Sequence, residues 1–412
     1  MNKRVSVLAT MAAACMASAA MAEIRTMVCY LSGRQEVPAN ASAGQGCGMF
    51  VVDTDANTVT YRITRWGLGT AETAAHIHGF ADPGANAGVL HGLPAGDLKT
   101  GVWTYAEAQE ASILQGKCYV NIHTSGIPGG EVRGQIVDAL AELDGGQEVP
   151  ANASAARGWG AIDVDTVTNT ARIFVSLNGV VGETGAHIHG VARQGTNGGV
   201  LFALPLGNTK TATWTYPESV ENDLLSGLCY FNIHTTAFPG GEIRGQIVTS
   251  VNVLDRSQEV PATNTSSAGC VLCGLDRAND ALTYDMRINL VGSTQTAAHI
   301  HGFAPVGVNA GVQHNIGVGS RMLSSWAYAA ASEPMIEGDL TYVNVHTNVF
   351  GGGEIRGQLF FNPLPPPPCP WAGSCAADYD GDGDFDSDDV VAFFGAWDGG
   401  DACADADRKS VV

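Results

Sequence analysis

Basic side chains are scarce in this sequence. Only 21 lysines and arginines accompany 41 aspartates and glutamates in 412 residues, so the formal net charge at pH 7 is −20. A surface of that sign repels nucleic acids and anionic lipids and attracts hard cations. The composition therefore predicts no nucleic-acid partner and favours contact with metal ions.

Long apolar runs are absent after the first 22 residues. Lys3 and Arg4 precede an apolar run over residues 5–20, and Ala20–Ala22 forms a small-x-small cleavage site. This arrangement is typical of a secretory signal peptide and is too short to span a membrane. The sequence predicts a signal peptide over residues 1–22. It also predicts a secreted protein, extracellular or at the cell surface, without a transmembrane segment.

Familiar catalytic signatures are missing as well. The sequence contains no G-x-S-x-G, H-E-x-x-H or P-loop motif. These patterns supply an activated serine, a zinc-bound water with its general base, and a phosphate cradle. Without them the sequence predicts a non-enzymatic protein.

The cysteines are few enough to be considered one by one. Ten are present, and Cys15 lies in the predicted signal peptide, which leaves an odd number of nine. Cysteines of exported proteins tend to form disulfides. The "CVLC" stretch at Cys270–Cys273 is compatible with a small-loop disulfide or with half of a zinc site. No second half-site accompanies it, so we predict the disulfide.

Three long repeats account for most of the chain. They open with "RQEVPANASA" at Arg34, "GQEVPANASA" at Gly146 and "SQEVPATNTS" at Ser257, and they close with "PGGEVRGQI", "PGGEIRGQI" and "GGGEIRGQL". A spacing above the 20–50 residues of a solenoid repeat indicates tandem globular domains. The predicted domains are residues 23–138, 139–250 and 251–361.

Each repeat has the pattern of a β domain. In the first repeat "MFVVD", "TDAN" and "TVTYRIT" follow one another as strand, turn and strand, with Val59, Tyr61 and Ile63 alternating along the second strand. Further short strands are predicted up to the closing motif, about eight in each repeat. The predicted fold class is all-β, with three tandem Greek-key β-sandwich or barrel domains.

Histidines recur at the same places in every repeat. Nine of the 11 lie in an "AHIHG"-type motif or in "N-x-H-T". Residues i and i+2 of a strand share a face, so these motifs predict one polar sheet face per domain that also carries a glutamate and an arginine. The predicted sets are His76, His78, His123, Glu131 and Arg133; His187, His189, His234, Glu242 and Arg244; and His299, His301, His346, Glu354 and Arg356.

Three interpretations of these sets are open. Three neutral imidazoles suit zinc or copper, with the glutamate and arginine as supporting groups around the ligands. The same residues can instead form a hydrogen-bonded polar network that orders loops. They can also bind an organic or protein ligand.

The motifs "QEVP", "AHIHG", "NIHT" and "GGEIRGQI", in that order, resemble the CHRD domain. This family is named after chordin and is also found in bacterial secreted proteins. The resemblance implies an extracellular all-β module that binds an extracellular ligand or serves a surface-structural role. The H-x-H strand is also similar to that of copper–zinc superoxide dismutases, which are Greek-key barrels too. That likeness implies the alternative function, a histidine-ligated copper or zinc protein with redox activity.

The C-terminal segment is acidic. A proline-rich linker over residues 362–374 precedes "DYDGDGDFDSDD", which fits an EF-hand loop with glycine at position 6. The predicted Ca²⁺ ligands are Asp378, Asp380, Asp382, Asp384, Asp386 and Asp389. A small EF-hand-like loop followed by one helix resembles a type I dockerin repeat, truncated here within residues 375–412. The resemblance implies a cohesin-like or cell-surface protein as partner.

The last residues of the chain look foreign to this segment. A second acidic loop begins at Asp405 and Asp407, but Arg408 and Lys409 follow where calcium ligands belong. The stretch Asp407–Val412 matches the translation of a common sequencing adapter. We therefore expect a native C-terminus that continues into a second repeat.

Overall fold

The computed structural model describes residues 24–361, and most of that range is β-structure. The predicted signal peptide (1–22), linker (362–374) and calcium-binding segment (375–412) lie outside the described residues. Within residues 24–361 none of the helices is long and apolar enough to cross a membrane.

Each domain contains eight strands and one short helix in the same order. Domain 1 consists of β1 (Ile24–Ser32), β2 (Gln45–Asp53), β3 (Thr58–Trp66), β4 (Glu72–His78), β5 (Val89–Gly92), β6 (Leu98–Thr104), α1 (Glu110–Leu114), β7 (Cys118–Thr124) and β8 (Val132–Ile136). Domain 2 consists of β9 (Ala139–Asp144), β10 (Arg157–Asp165), β11 (Thr170–Asn178), β12 (Glu183–Gly190), β13 (Gly199–Ala203), β14 (Thr209–Thr215), α2 (Glu218–Leu225), β15 (Cys229–Thr235) and β16 (Ile243–Ile247). Domain 3 consists of β17 (Ser250–Leu254), β18 (Ala268–Asp276), β19 (Ala281–Asn289), β20 (Gln295–Gly302), β21 (Val312–Asn315), β22 (Arg321–Ala327), α3 (Glu333–Glu337), β23 (Thr341–Thr347) and β24 (Ile355–Gln358).

The strands of each domain pair antiparallel in a Greek-key-like order. In domain 1 the order is β5-β4-β7-β8-β1-β2-β3-β6, and domain 2 repeats it. The chain crosses between the two four-stranded halves after β3, β5 and β6. In domain 3 the halves are separate sheets, joined by a bridge between Asp255 and Arg356. The prediction of tandem all-β domains is confirmed.

Alternation along the strands builds a core inside each domain. In domain 1 the buried residues Ile77, Val120, Ile122 and Val132 belong to one apolar cluster between the two halves. Their strand neighbours point to the opposite face, where the histidines lie. Tight hairpins keep the strands in register, as at Asn57 between β2 and β3, whose φ of 53° is a left-handed conformation that asparagine tolerates.

A further apolar cluster joins the three domains. This central cluster consists of Val28, Tyr30, Cys47, Trp66, Val137, Leu140, Trp159, Ala161, Val248, Val251, Val253, Ala268, Cys270 and Leu272. A disulfide between Cys47 of domain 1 and Cys270 of domain 3 lies within it, with Cα atoms 6.3 Å apart. The three domains therefore pack around a shared apolar core.

Strand β18 explains why the predicted Cys270–Cys273 disulfide is wrong. Every residue of β18 is buried, because one face packs on the core of domain 3 and the other on the central cluster. Residues three apart in a strand point to opposite faces. Cys273 thus enters the core of domain 3 as a buried free thiol, while Cys270 reaches Cys47.

Ion pairs, of which Arg62–Asp255 is buried, reinforce the contacts between domains. Arg62 of domain 1 donates two hydrogen bonds of 2.8 Å to the carboxylate of Asp255 in domain 3. Arg321 of domain 3 lies 2.9 Å from Asp144 of domain 2. Charged groups that are removed from water need such partners, so each pair favours one relative placement of two domains.

Candidate metal centre

Two neighbouring strands bring the histidines of each domain together. In domain 1, β4 lies beside β7, with His76 opposite Asn121 and His78 opposite Tyr119. His123 lies two residues beyond Asn121 on the same face of β7. The three imidazoles therefore meet at one end of the β4–β7 pair, on the face away from the core.

The rings lie close enough to share one ion. In domain 1 the ring centroids of His76 and His123 are 5.1 Å apart, and those of His76 and His78 are 5.5 Å apart. One nitrogen from each of the three rings lies within 4.8 Å of the others. We call each such group a histidine triad. The triads are His76, His78 and His123; His187, His189 and His234; and His299, His301 and His346. The predicted clustering of these nine residues is confirmed.

Backbone carbonyls orient two rings of each triad. The Nδ1 of His78 lies 3.0 Å from the carbonyl of Ala87, and the Nδ1 of His123 lies 2.9 Å from that of Pro128. A carbonyl only accepts, so each Nδ1 carries the hydrogen and each Nε2 of the neutral ring is a bare acceptor. The equivalent contacts run from His189 to Gly198, His234 to Pro239, His301 to Ala310 and His346 to Gly351.

The remaining nitrogens of domain 1 face one another without a hydrogen-bond partner. The Nε2 atoms of His78 and His123 and the Nδ1 of His76 are buried and have no hydrogen-bond partner. Buried polar atoms are almost always paired, so three facing nitrogens without partners, two of them bare acceptors, need an explanation. A metal cation at their centre satisfies all three at once.

Domain 3 provides a distance that can be compared with metal coordination. The Nε2 atoms of His301 and His346 lie 3.4 Å apart, and each ring donates its Nδ1 hydrogen to a carbonyl. Tetrahedral zinc with bonds of about 2.0–2.1 Å places two nitrogen ligands about 3.3 Å apart. The spacing of this pair therefore matches two ligands of one tetrahedral ion.

The triads favour neutral imidazoles. Burial lowers the pKa of His76 and His78 below the ordinary value of 6.5, because the positive form is disfavoured away from water. Repulsion from His123 lowers the pKa of both further. Burial also lowers the pKa values of His187, His189, His299 and His301. Neutral rings are the form that binds zinc or copper.

A tyrosine and an arginine support the triad from behind. The ring of His78 stacks on Tyr119 at 5.1 Å with an interplanar angle of 13°. The guanidinium of Arg133 lies over the same tyrosine, 3.5 Å from the ring centroid. Tyr230 with Arg244 and Tyr342 with Arg356 repeat the arrangement in the other domains.

The same two side chains fix the loop that supplies the Ala87 carbonyl. The Arg133 Nη1 donates to the carbonyl of Ala85 at 2.8 Å, and the Ala87 N–H donates to the hydroxyl of Tyr119 at 2.9 Å. Since the Ala87 carbonyl accepts from His78, the loop, the tyrosine and the arginine together set the orientation of that imidazole. Arg133 thus lies behind the triad and contacts Tyr119 and the loop rather than the imidazoles themselves.

The glutamates predicted beside the triads lie elsewhere. Glu131 accepts hydrogen bonds from Ser42 Oγ at 2.7 Å, the Gly69 N–H at 2.6 Å and Thr124 Oγ1 at 2.6 Å. Thr124 follows His123 in β7, so its side chain lies on the opposite face. The prediction that Glu131 supports the imidazoles or pairs with Arg133 is therefore wrong. Glu242 and Glu354 bond to Ser154 and Thr265 in the same way.

The two histidines outside the triads have packing roles. His91 stacks on Trp103 at 6.0 Å, and its Nε2 lies 3.3 Å from the hydroxyl of Tyr61. His314 has the equivalent contacts in domain 3. Sequence reasoning missed the stacking partners of the triads, although a tyrosine lies two residues before the asparagine of each N-x-H-T motif. The loop carbonyls that orient the rings could not be predicted from the sequence, because every residue carries a backbone carbonyl.

Comparison with known families agrees with this architecture. The CHRD domain model matches residues 28–136, 139–247 and 251–359, one match for each eight-stranded domain. No curated protein matches the chain. CHRD domains occur in extracellular proteins, where they are binding modules. Because the three matches cover well over half of the sequence, the chain belongs to the CHRD domain family.

Proposed function

We propose that this protein is a non-enzymatic binding protein in which each CHRD domain holds one zinc or copper ion through its histidine triad. The observation that carries the proposal is the convergence of three buried nitrogens, in which carbonyls already hold two Nδ1 hydrogens. A polar network that orders loops pairs its buried nitrogens, whereas these three nitrogens of domain 1 have no hydrogen-bond partner and two of them are bare acceptors.

The bound ion would also stabilise the domain. Two ligands of each triad lie on β4 or its equivalent and the third lies on β7 or its equivalent, so an ion held by all three rings ties these two strands together. A ligand that binds only the folded state adds about 2.7 kcal/mol at one hundred times its dissociation constant. The carbonyls and the Tyr119 stack orient the rings beforehand, which lowers the entropic cost of binding.

Elemental analysis of the full chain tests the proposal. The protein is produced without a polyhistidine tag, dialysed against excess Zn²⁺ or Cu²⁺, freed of unbound metal and measured by mass spectrometry of the elements. We expect three equivalents, one for each triad. The His123→Ala variant is expected to hold two.

His91→Ala is the matched control. It removes an imidazole that packs on Trp103 and lies outside the triads, so this variant should keep three equivalents. Metal-free wild-type protein after exposure to both ions would refute the proposal. So would equal metal contents in the His123→Ala variant and the wild type.

We further propose that residues 1–22 direct secretion and that the segment 375–412 attaches the protein, with calcium, to a cohesin-like or cell-surface partner. The sequence pattern of the signal peptide and the EF-hand-like loop supports this. Calcium titration followed by the fluorescence of Trp397 tests the second part. A signal change in the wild type and none in Asp378→Ala is expected, and a calcium-insensitive wild type would contradict the proposal.

A further inference from the structure

A second group of buried atoms without partners lies near the turn that follows β7. Glu36 and Asn121 are only 6% and 4% exposed. The Asn121 Nδ2 donates to Glu36 Oε2 at 3.4 Å, while Glu36 Oε1 and Asn121 Oδ1 have no hydrogen-bond partner. Two acceptors thus remain buried beside a single weak hydrogen bond.

The two oxygens point at the same spot. A Cβ atom placed on Gly130 would lie 2.4 Å from Asn121 Oδ1 and 2.7 Å from Glu36 Oε1. Gly130 has a φ of 133° and no side chain, so the turn leaves this spot open to both oxygens. The carboxyl and the amide therefore border the same open spot, and the Asn121 Nδ2 also lies 2.7 Å from it.

The arrangement recurs in each domain. In domain 2 the Oε1 of Glu148 and the Oδ1 of Asn232 are buried without partners and converge beside Gly241. In domain 3 Glu259 and Asn344 do the same beside Gly353, with the Asn344 Nδ2 donating to Glu259 Oε2 at 3.2 Å. A site repeated in three copies is not an accident of one loop.

We propose that each of these glutamates is a proton-binding site, a neutral carboxylic acid that donates its Oε1 hydrogen to the facing asparagine Oδ1. The two groups then form a ring of two hydrogen bonds, N–H to Oε2 and O–H to Oδ1. Both unpartnered oxygens are satisfied by the one proton. The ligand of this site is a hydrogen ion.

Electrostatics supports the neutral form. Burial, the largest cause, raises the pKa of Glu36, Glu148 and Glu259 to about 7. Arg133, the Asn121 amide and the Val37 N–H each lower the pKa of Glu36, but less than burial raises it. The hydrogen bonds of Arg133 go to Ala85, Asn86 and Gln135 rather than to Glu36. The charged groups that face the three glutamates are Arg133 for Glu36; Arg244 and Asp144 for Glu148; and Arg356, Asp255 and Glu354 for Glu259.

Glu131 shows what an ionised glutamate looks like in the same domain. It is equally buried, at 1% exposed, but its carboxylate accepts from two hydroxyls and one N–H. Those bonds lower its pKa in spite of burial. Glu36 has fewer donors, the Asn121 amide and the Val37 N–H, and burial outweighs them, so the two glutamates favour opposite charge states.

The sign of the pH dependence follows directly. A folded-state pKa near 7, above the unfolded value of 4.5, means that the folded protein binds the proton more tightly. The stability contributed by the site is complete below pH 4.5 and is lost as the pH rises through about 7. Deprotonation leaves a charged oxygen facing the amide oxygen.

Infrared spectroscopy and thermal unfolding of the full chain test the proposal. The test variant combines Glu36→Gln, Glu148→Gln and Glu259→Gln, which keeps shape and neutrality and supplies an N–H in place of the O–H. At about pH 6 the wild type should show a protonated-carboxyl stretching band that the variant lacks. Asp163, whose pKa burial also raises to about 7, is unchanged in both proteins and cancels in the difference spectrum.

Thermal unfolding separates the neutral site from the ionised one. When the pH rises from about 6 to about 9, the midpoint temperature of unfolding should fall further for the wild type than for the triple variant. The matched control replaces Glu131, Glu242 and Glu354 by glutamine, and it should keep the band and unfold at lower temperature even at about pH 6. A difference spectrum without the band would overturn the proposal, because Glu36 would then be ionised and bridged by water or a cation. The proposal would also be overturned if the Glu36→Gln, Glu148→Gln, Glu259→Gln variant were as unstable as the control at about pH 6.

Discussion

Removal of the Cys47–Cys270 disulfide should destabilise the protein strongly. The bond joins residues 223 positions apart and ties domain 1 to domain 3 across the central cluster. Chain-entropy arithmetic for a closed loop of that length gives about 5 kcal/mol at 25 °C, gained by restricting the unfolded chain. Cys47→Ala with Cys270→Ala should therefore lower the free energy of unfolding by about that amount.

Equilibrium unfolding in urea, followed by tryptophan fluorescence, measures this loss. Trp66 and Trp159 both lie in the central cluster, so the signal reports on the place where the domains meet. Cys273→Ala is the matched control, because this thiol lies on the other face of the same strand and is free. It loses packing alone, which costs about 1 kcal/mol.

The comparison between the two variants shows whether the disulfide holds domains 1 and 3 together. If the double variant is no less stable than the Cys273→Ala protein, the disulfide does not hold the domains together, and packing of the central cluster alone accounts for their arrangement. If domain 1 unfolds at lower urea than the other two domains in the double variant, the bond acts where the structure places it.

Three other outcomes are expected. Tyr119→Phe keeps the stacked ring but loses the hydroxyl that holds the Ala87 N–H, so it should weaken metal binding at the domain 1 triad by about tenfold. Competition with a chromophoric chelator measures the affinity, and an unchanged value would show that the loop needs no such support. Arg62→Met leaves the carboxylate of Asp255 buried without its main partner and should cost about 3 kcal/mol in urea unfolding; a cost near zero would contradict the tight contact between domains 1 and 3. Burial lowers the pKa of His78 below 6.5, so metal binding should stay constant from about pH 8 down to about pH 6.5 and be lost only in more acid solution. Loss of metal already above pH 6.5 would mean that the imidazoles are exposed and have ordinary pKa values.

Local periodicity was sufficient to predict the face on which the histidines lie. His76 and His78 alternate with Ile77, and the i, i+2 rule places both rings opposite the core whatever the rest of the fold does. The same rule placed Val120 and Ile122 inside. The threefold repetition of the motifs in turn predicted three all-β domains, because similar patterns bury similar faces.

Side chains at the ends of strands escaped that rule. Glu131 lies just before β8, where the chain leaves the ladder, so alternation counted back from Val132 assigned it to the wrong face. The Cys270–Cys273 prediction failed for a related reason: short spacing suggested a small loop, but the segment is an extended strand that is buried on both faces.

Long-range contacts were decided by the tertiary structure alone. Alternation along the strands predicts a core face and a histidine face in each of the three domains. Which faces meet depends on how the domains pack, and no local pattern marks Cys47 as the partner of Cys270 or Glu36 as the partner of Asn121, 85 residues away. Those pairings exist because burial removes water from both partners at once, and only the packed chain determines which groups lose their water together.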